Sequence, residues 1–243
     1  MEKIKIYLVC SATLLCVFLF GGLLYTAFDQ TPEIQTAAQA GVNDDFTVVI
    51  DAGHGGEDGG ASANGVLEKE INLNVSLKLR DMLEAAGMNV VMIRDSDQSI
   101  YDSSSGTVRQ RKVSDLKNRV KIINSSDKNI LVSIHQNKFE QSQYSGTQIF
   151  YSVNHPKSEM LAESIRKSVT GLLQPDNKRE LKPADSSIYI LNQAKVPAVI
   201  VECGFLSNEK EAELLSDEAY RQKMAFAVFC GIMNMRAAQN SNM

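Results

Sequence analysis

The sequence predicts an α/β fold: a single doubly wound, mostly parallel sheet flanked by helices and preceded by an N-terminal hydrophobic helix. Three observations point to it. Apolar runs of strand length, Val48-Val49-Ile50, Ile130-Leu131-Val132 and Ala198-Val199-Ile200-Val201, lack the alternation of a half-solvated sheet and suit strands covered on both faces. Between them lie stretches with apolar residues every third or fourth position, the mark of amphipathic helices. Strand and helix then alternate to the end of the chain, the pattern of a doubly wound domain.

The chain has 243 residues and starts with a membrane signal. Lys3 and Lys5 precede an uncharged run from Ile6 to Phe28. That run meets the roughly 20 apolar residues that a bilayer span requires. Residues 1–28 are expected to be a signal peptide or membrane anchor, with the lysines holding the amino end in the cytoplasm and the rest exported. Ala38-Gln39-Ala40 resembles a signal-peptidase site. Residues 29–44, rich in Gln, Thr and Ala, read as a polar linker. Residues 45–239 are expected to form one catalytic domain, long enough for a sizeable core. A formal charge of −4, mixed in sign along the chain, speaks against a nucleic-acid partner.

Val48-Val49-Ile50 runs straight into Asp51-Ala52-Gly53-His54-Gly55-Gly56. The glycines allow a tight turn and leave the space around His54 uncrowded. After a polar loop, Glu57 to Ala61, a helix is expected from Glu68 to Ala86, with Ile71, Val75, Leu79 and Leu83 as its buried stripe and Gly87 ending it. Asn89 to Ile93 reads as the second strand, with Arg94 at its exit. Asp95 to Val113 reads as a long polar loop carrying a basic cluster, Arg109, Arg111 and Lys112, which is either solvated charge or a contact for an anionic substrate or partner. Val113 to Asn124 is expected to be a helix, followed by the strand that ends at His135. A strand over Gly146 to Tyr151 and a helix over Ser158 to Leu173 follow. Strands are then expected over Ser187 to Leu191 and Ala198 to Val201, and closing helices over Asn208 to Leu215 and Glu218 to Met235.

The chemistry gathers at strand exits. His54 and His135 each follow an apolar strand, and Glu202 follows a third. In an open α/β sheet, parallel strands converge at one carboxyl edge. His54, His135, Glu202 and one of Glu68 or Glu70 are therefore expected in one pocket. Two imidazoles and a carboxylate are a common catalytic zinc set, and the remaining carboxylate is then a candidate general base. His155 lies in a turn before Pro156 and reads as a surface histidine. Cys203 and Cys230 read as buried free thiols; a disulfide between them or a nucleophilic Cys203 are the other options.

Four stretches in order resemble a known family: Val49-Ile50-Asp51-Ala52-Gly53-His54-Gly55-Gly56, then Leu67-Glu68-Lys69-Glu70-Ile71-Asn72-Leu73, then Ser133-Ile134-His135-Gln136-Asn137, then Val201-Glu202-Cys203-Gly204-Phe205-Leu206-Ser207-Asn208. They are similar to the zinc-dependent N-acetylmuramoyl-L-alanine amidases of the third amidase class, and the likeness spans about Phe46 to Arg236. Ala52, where many relatives carry proline, and Cys203 depart from the commonest pattern without touching a ligand. The resemblance implies Zn2+ held by His54, Glu68 and His135, with Glu202 catalytic, and so selects Glu68 over Glu70. It implies a peptidoglycan hydrolase acting on glycan strands with stem peptides, at the amide between N-acetylmuramic acid and L-alanine. Within the family the chain is most similar to the germination-specific enzymes of spore-forming bacteria. That likeness implies a site of action around the developing spore, in cortex where muramic δ-lactam forms, with a partner protein in the exported compartment. A different zinc-dependent wall hydrolase, peptidase or deacetylase, would share such a pocket. A non-catalytic wall-binding scaffold would instead show an altered ligand or a missing glutamate, and all four residues are present.

Overall fold

The first strand, β1 (Thr47–Ala52), is buried on both faces from Val48 onward and lies inside a six-stranded sheet, as its unbroken apolar run predicts. The computed structural model describes residues 46–104 and 106–240. The expected hydrophobic helix at 1–28 and linker at 29–44 lie outside these residues. Among the described residues no helix is long and apolar enough to cross a membrane.

After β1 come β2 (Ser62–Ala63) and β3 (Val66–Leu67), a short hairpin that the sequence reading missed. Its turn is Asn64-Gly65, both with positive φ, which is the residue pair that two-residue hairpins favour. Next are α1 (Glu68–Ala85), β4 (Asn89–Met92), α2 (Val108–Ile123) and β5 (Asn129–Asn137). Then follow β6 (Gln148–Tyr151), α3 (Lys157–Leu172), β7 (Lys182–Pro183), α4 (Tyr189–Gln193), β8 (Ala198–Phe205), α5 (Glu209–Ser216) and α6 (Glu218–Asn240). The sheet order is β4-β1-β5-β8-β6-β7. The first four strands run parallel, and β6 pairs antiparallel with β8. This is the mostly parallel sheet the sequence predicts, with a reversed edge.

Alternation along the strands builds two apolar layers. Val48, Ile50, Val132, Ile134, Val199 and Val201 face one side, where Ile71, Val75, Leu79 and Leu83 of α1 pack with α3 and α6. Val49, Leu131 and Ile200 face the other, against Leu116, Val120 and Ile123 of α2. The same alternation places Cys203 in the first layer. Cys203 is fully buried and Cys230 half-buried, and both are free thiols. Burial pushes the Cys203 thiol up to about 12, which leaves it protonated and unreactive.

Two expected elements differ. The run Ser187 to Leu191 is not a strand. Tyr189–Gln193 forms α4, a short helix whose Ile190 and Leu191 plug the second apolar layer. A short apolar run carries no period that separates strand from helix, and here packing decides. The helix expected from Val113 begins five residues earlier, at Val108. Thr107 caps it and Gln110 returns the bond to the Thr107 N–H, a complete capping box. The basic cluster is thus carried on helical turns instead of in a loop.

The closing helix α6 meets α3 at Gly231. A Cβ there would lie 2.5 Å from the Cα of Ile165, so the two backbones touch. Gly231→Ala is expected to destabilise the fold: overpacking costs about 1–3 kcal/mol, against a gain of about 1 kcal/mol in helix propensity. Because the clash is with backbone, the overpacking cost lies at its upper end. A urea midpoint equal to or above that of the parent would contradict this.

Candidate active site

The four candidate residues meet at the carboxyl edge of the parallel strands. His54 follows β1, His135 lies near the end of β5, Glu202 sits on β8 opposite His135, and Glu68 opens α1. One ligand atom from each of His54, Glu68 and His135 lies within 4.8 Å of the others. Glu68 Oε1 stands 3.3 Å from His54 Nε2 and 3.0 Å from His135 Nδ1. Donors at about 2.0–2.2 Å from a tetrahedral zinc stand roughly 3.3 Å apart, so the donor types and their spacing fit that ion. Glu70 is exposed and lies outside the cluster. His155 is half-buried in a turn, away from it.

The backbone holds His54 in an uncommon state. Its φ is +62°, the left-handed region that non-glycine residues rarely adopt. Two buried arginines clamp the turn. Arg94 donates to the carbonyls of Ala52, Gly53, Lys69 and Ser96 at 2.8–3.0 Å. Arg119 donates to the carbonyls of Ala52 and His54 and pairs with Asp115 and with buried Asp51, which also accepts from Ser133. Gly53 must be glycine because a Cβ there would meet the His135 ring at 2.2 Å. Gly60, at φ +68°, would drive a Cβ to 2.5 Å from Glu68 Oε2.

Glu68 is buried and fully engaged. Oε2 accepts from the Ala61 N–H at 2.7 Å; Oε1 accepts from the Gln136 N–H and from Asn72 Nδ2. Burial raises its pKa, but the hydrogen bonds and charges of His135 and His54 outweigh this and hold it well below the usual carboxylate range. Burial lowers the His54 pKa, yet hydrogen bonds to Asp58 and Glu68 raise it to about 9. Asp58 Oδ2 sits 3.0 Å from His54 Nδ1 and turns the ring so that Nε2 faces the cluster.

Glu202 differs from Glu68 in every respect that matters chemically. Its Oε2 is buried with no hydrogen-bond partner. Burial pushes its carboxyl up to about 7, although His135 nearby favours the charged form. It lies beside the ligand cluster without belonging to it.

Asp51, Asp58, Asn72, Arg94, Arg119, Ser133 and Gln136 support the site, and the sequence reading gave none of them a role. Asp115 and Arg119 show the i,i+4 spacing of a helical ion pair, but no local signal connects Arg119 to Asp51. Asp51 is buried, which raises its pKa, while Arg119 above all holds it below the ordinary value. A carboxyl with a depressed folded pKa contributes stability above its unfolded pKa and loses it as pH falls through the folded one. Asp51→Ala leaves the buried Arg119 half-compensated and is expected to cost about 3–5 kcal/mol. Denaturant unfolding near neutral pH measures this, and a loss under about 1 kcal/mol would show that the pair does not brace the turn.

Residues 48–234 match the family model described as N-acetylmuramoyl-L-alanine amidase. The germination-specific N-acetylmuramoyl-L-alanine amidase of Bacillus subtilis (strain 168) is 34% identical over 186 residues, 76% of this chain and 78% of that protein. The solved structure of the CwlD amidase from Clostridioides difficile in complex with the GerS lipoprotein is 43% identical, with a TM-score of 0.76 over 79% of this chain and 99% of that one. The amidase AmiC2 of Nostoc punctiforme is 27% identical, with a TM-score of 0.67 over 78% and 96%.

Proposed function

The chain belongs to the N-acetylmuramoyl-L-alanine amidase family, peptidoglycan hydrolases that cut the amide between N-acetylmuramic acid and L-alanine, and on that premise we propose that it does so as a zinc enzyme through His54, Glu68, His135 and Glu202. The observation that carries this reading is the contrast between the two glutamates. Glu68 is ionised and locked between two imidazoles, while Glu202 Oε2 has no hydrogen-bond partner and the carboxyl is pushed up to about 7 beside them.

His54, Glu68 and His135 would hold the metal and leave its fourth position open. Bound there, zinc supplies Lewis-acid polarisation of the scissile carbonyl and acidifies water. Glu202 takes the proton of the attacking water and returns it to the departing alanine nitrogen. Asp58 keeps His54 Nε2 turned inward, and the two buried arginines keep the turn in place. A carboxylate oxygen buried without a partner costs stability, which favours a catalytic protein over a wall-binding scaffold.

The germination-specific relative and the CwlD structure support a role in spore cortex, where removal of the stem leaves muramic acid free to form its δ-lactam. The lipoprotein in the CwlD complex supports a partner protein in the exported compartment. We assign residues 1–28 to export or anchoring, 29–44 to a linker and 45–239 to the catalytic domain. A chain beginning near Asp45 is then expected to be soluble and folded; aggregation of that chain beside a well-behaved full-length protein would refute the division. Mass spectrometry of muropeptides from digested wall tests the reaction. Intact stem peptides and stem-free muramic acid are expected. Deacetylated sugars or cuts within the stem would replace the amidase reading with another hydrolase.

A further inference from the structure

Arg111 shares a cavity of about 210 Å³ with His54 and His135, whose walls also include Tyr101, Leu116 and Ile190. Three contacts fix the guanidinium. Its Nη1 donates to the Gly106 carbonyl at 2.8 Å, and its centre lies 5.7 Å from the Tyr101 ring centroid. Its remaining edge, Nε and Nη2, donates to the two carboxylate oxygens of Glu57, with Nη2 to Oε2 at 2.9 Å. Glu57 belongs to the turn after His54 and lines the same cavity. The wall of the cavity that His54 and His135 line thus carries a carboxylate in a guanidinium fork, the geometry by which arginine recognises carboxylates.

The pair is poised for exchange. The Glu57 side chain is 41% exposed and that of Arg111 23%, and an ion pair so placed contributes little and is displaced cheaply. Lys112 Nζ stands 3.3 Å from Asp58, which also pairs with His54, so a second cation lies one carboxylate away from the ligand cluster. In the substrate of the reaction above, the lactyl carboxyl is tied up in the scissile amide. The free carboxylates are on the stem peptide.

We infer that Arg111 forms a subsite for a free carboxylate of the stem, and that Glu57 is a built-in stand-in that leaves the fork when the stem enters. The inference rests on the amidase reading. It gives the basic cluster a task on the cavity wall, at a position that the capping box of α2 determines. Glu57 keeps the fork aligned while the cavity is empty, and the stem replaces its two bonds one for one.

Two probes test this with the full-length, zinc-loaded chain: N-acetylmuramoyl-L-alanyl-D-glutamate and its diamide. The parent is expected to prefer the free acid in kcat/KM by about 10–100-fold, the range of a charge-assisted pair. Arg111→Gln is expected to collapse that ratio toward one, and Glu57→Gln, which removes the competitor, to keep or raise it. An unchanged ratio in Arg111→Gln overturns the inference. So does a ratio that collapses equally in both variants, because the pair would then be a brace. Binding of both probes to Glu202→Gln, with and without Arg111→Gln, reads the subsite without hydrolysis. Should the parent cleave neither probe, the amidase reading falls and this binding comparison still decides the subsite.

Discussion

Glu202→Gln is expected to keep its zinc and to lose about 10²–10⁴-fold in turnover, the contribution of a positioned proton-transfer group. The substitution preserves shape and removes the basic oxygen. Glu202 stands outside the ligand cluster, so zinc per chain should match the parent, and substrate binding should survive because the loss falls on the transition state. The pH profile adds a second reading. Burial raises the carboxyl to about 7, and a bound dication lowers it again. The base form is lost as pH falls, so the acid limb of kcat/KM is expected at or below about pH 7 and should flatten in the residual activity of Glu202→Gln. Stability moves the other way. A carboxyl whose folded pKa lies above its unfolded one makes the fold bind protons, so stability falls as pH rises from about 4.5 to about 7. Metal-free Glu202→Gln should therefore be at least as stable as the metal-free parent above pH 7. Loss of zinc together with activity would make Glu202 a ligand; retention of both would place the chemistry elsewhere.

His54→Ala, Glu68→Ala and His135→Ala are each expected to abolish zinc binding at micromolar metal, with hydrolysis lost in parallel, because three donors leave no redundancy. The effects should divide by surroundings. Glu68→Ala also strands the Ala61 and Gln136 amides, each at about 1–3 kcal/mol if left unpaired, so it should cost stability that the histidine variants retain. Asp58→Asn removes the negative charge behind His54, together with its pairing to Lys112, and should weaken zinc by about 10–100-fold, less than loss of any ligand. His155→Ala is the control and should bind zinc as the parent does. Zinc per chain after dialysis, with denaturant unfolding on the same preparations, separates these outcomes. A His155→Ala protein that loses zinc while His54→Ala keeps it would overturn the assignment.

The amino-acid sequence by itself determined the parallel core and the place of the chemistry. Apolar runs with no alternation demand burial on both faces, and the polar residue that ends each run must emerge at the sheet edge. That is why His54, His135 and Glu202 were legible one strand at a time. The stripe of Ile71, Val75, Leu79 and Leu83 specified α1 equally well, because side-chain period and helix period coincide.

Tertiary structure decided what local periodicity does not encode. Tyr189–Gln193 is helical because Ile190 and Leu191 fill the layer under β8, although the same residues suit a strand. Asp51 and Arg119 are 68 residues apart, and Glu57 and Arg111 are 54 apart. Whether such groups meet depends on the strand order β4-β1-β5-β8 and on a register that sets Asp51 beside Ser133 and His135 beside Glu202. Charge type and spacing mark a residue as able to pair. Only the packed sheet brings the buried cation to its anion, and only the fold sets Glu68 between two imidazoles while leaving Glu202 Oε2 buried without a partner.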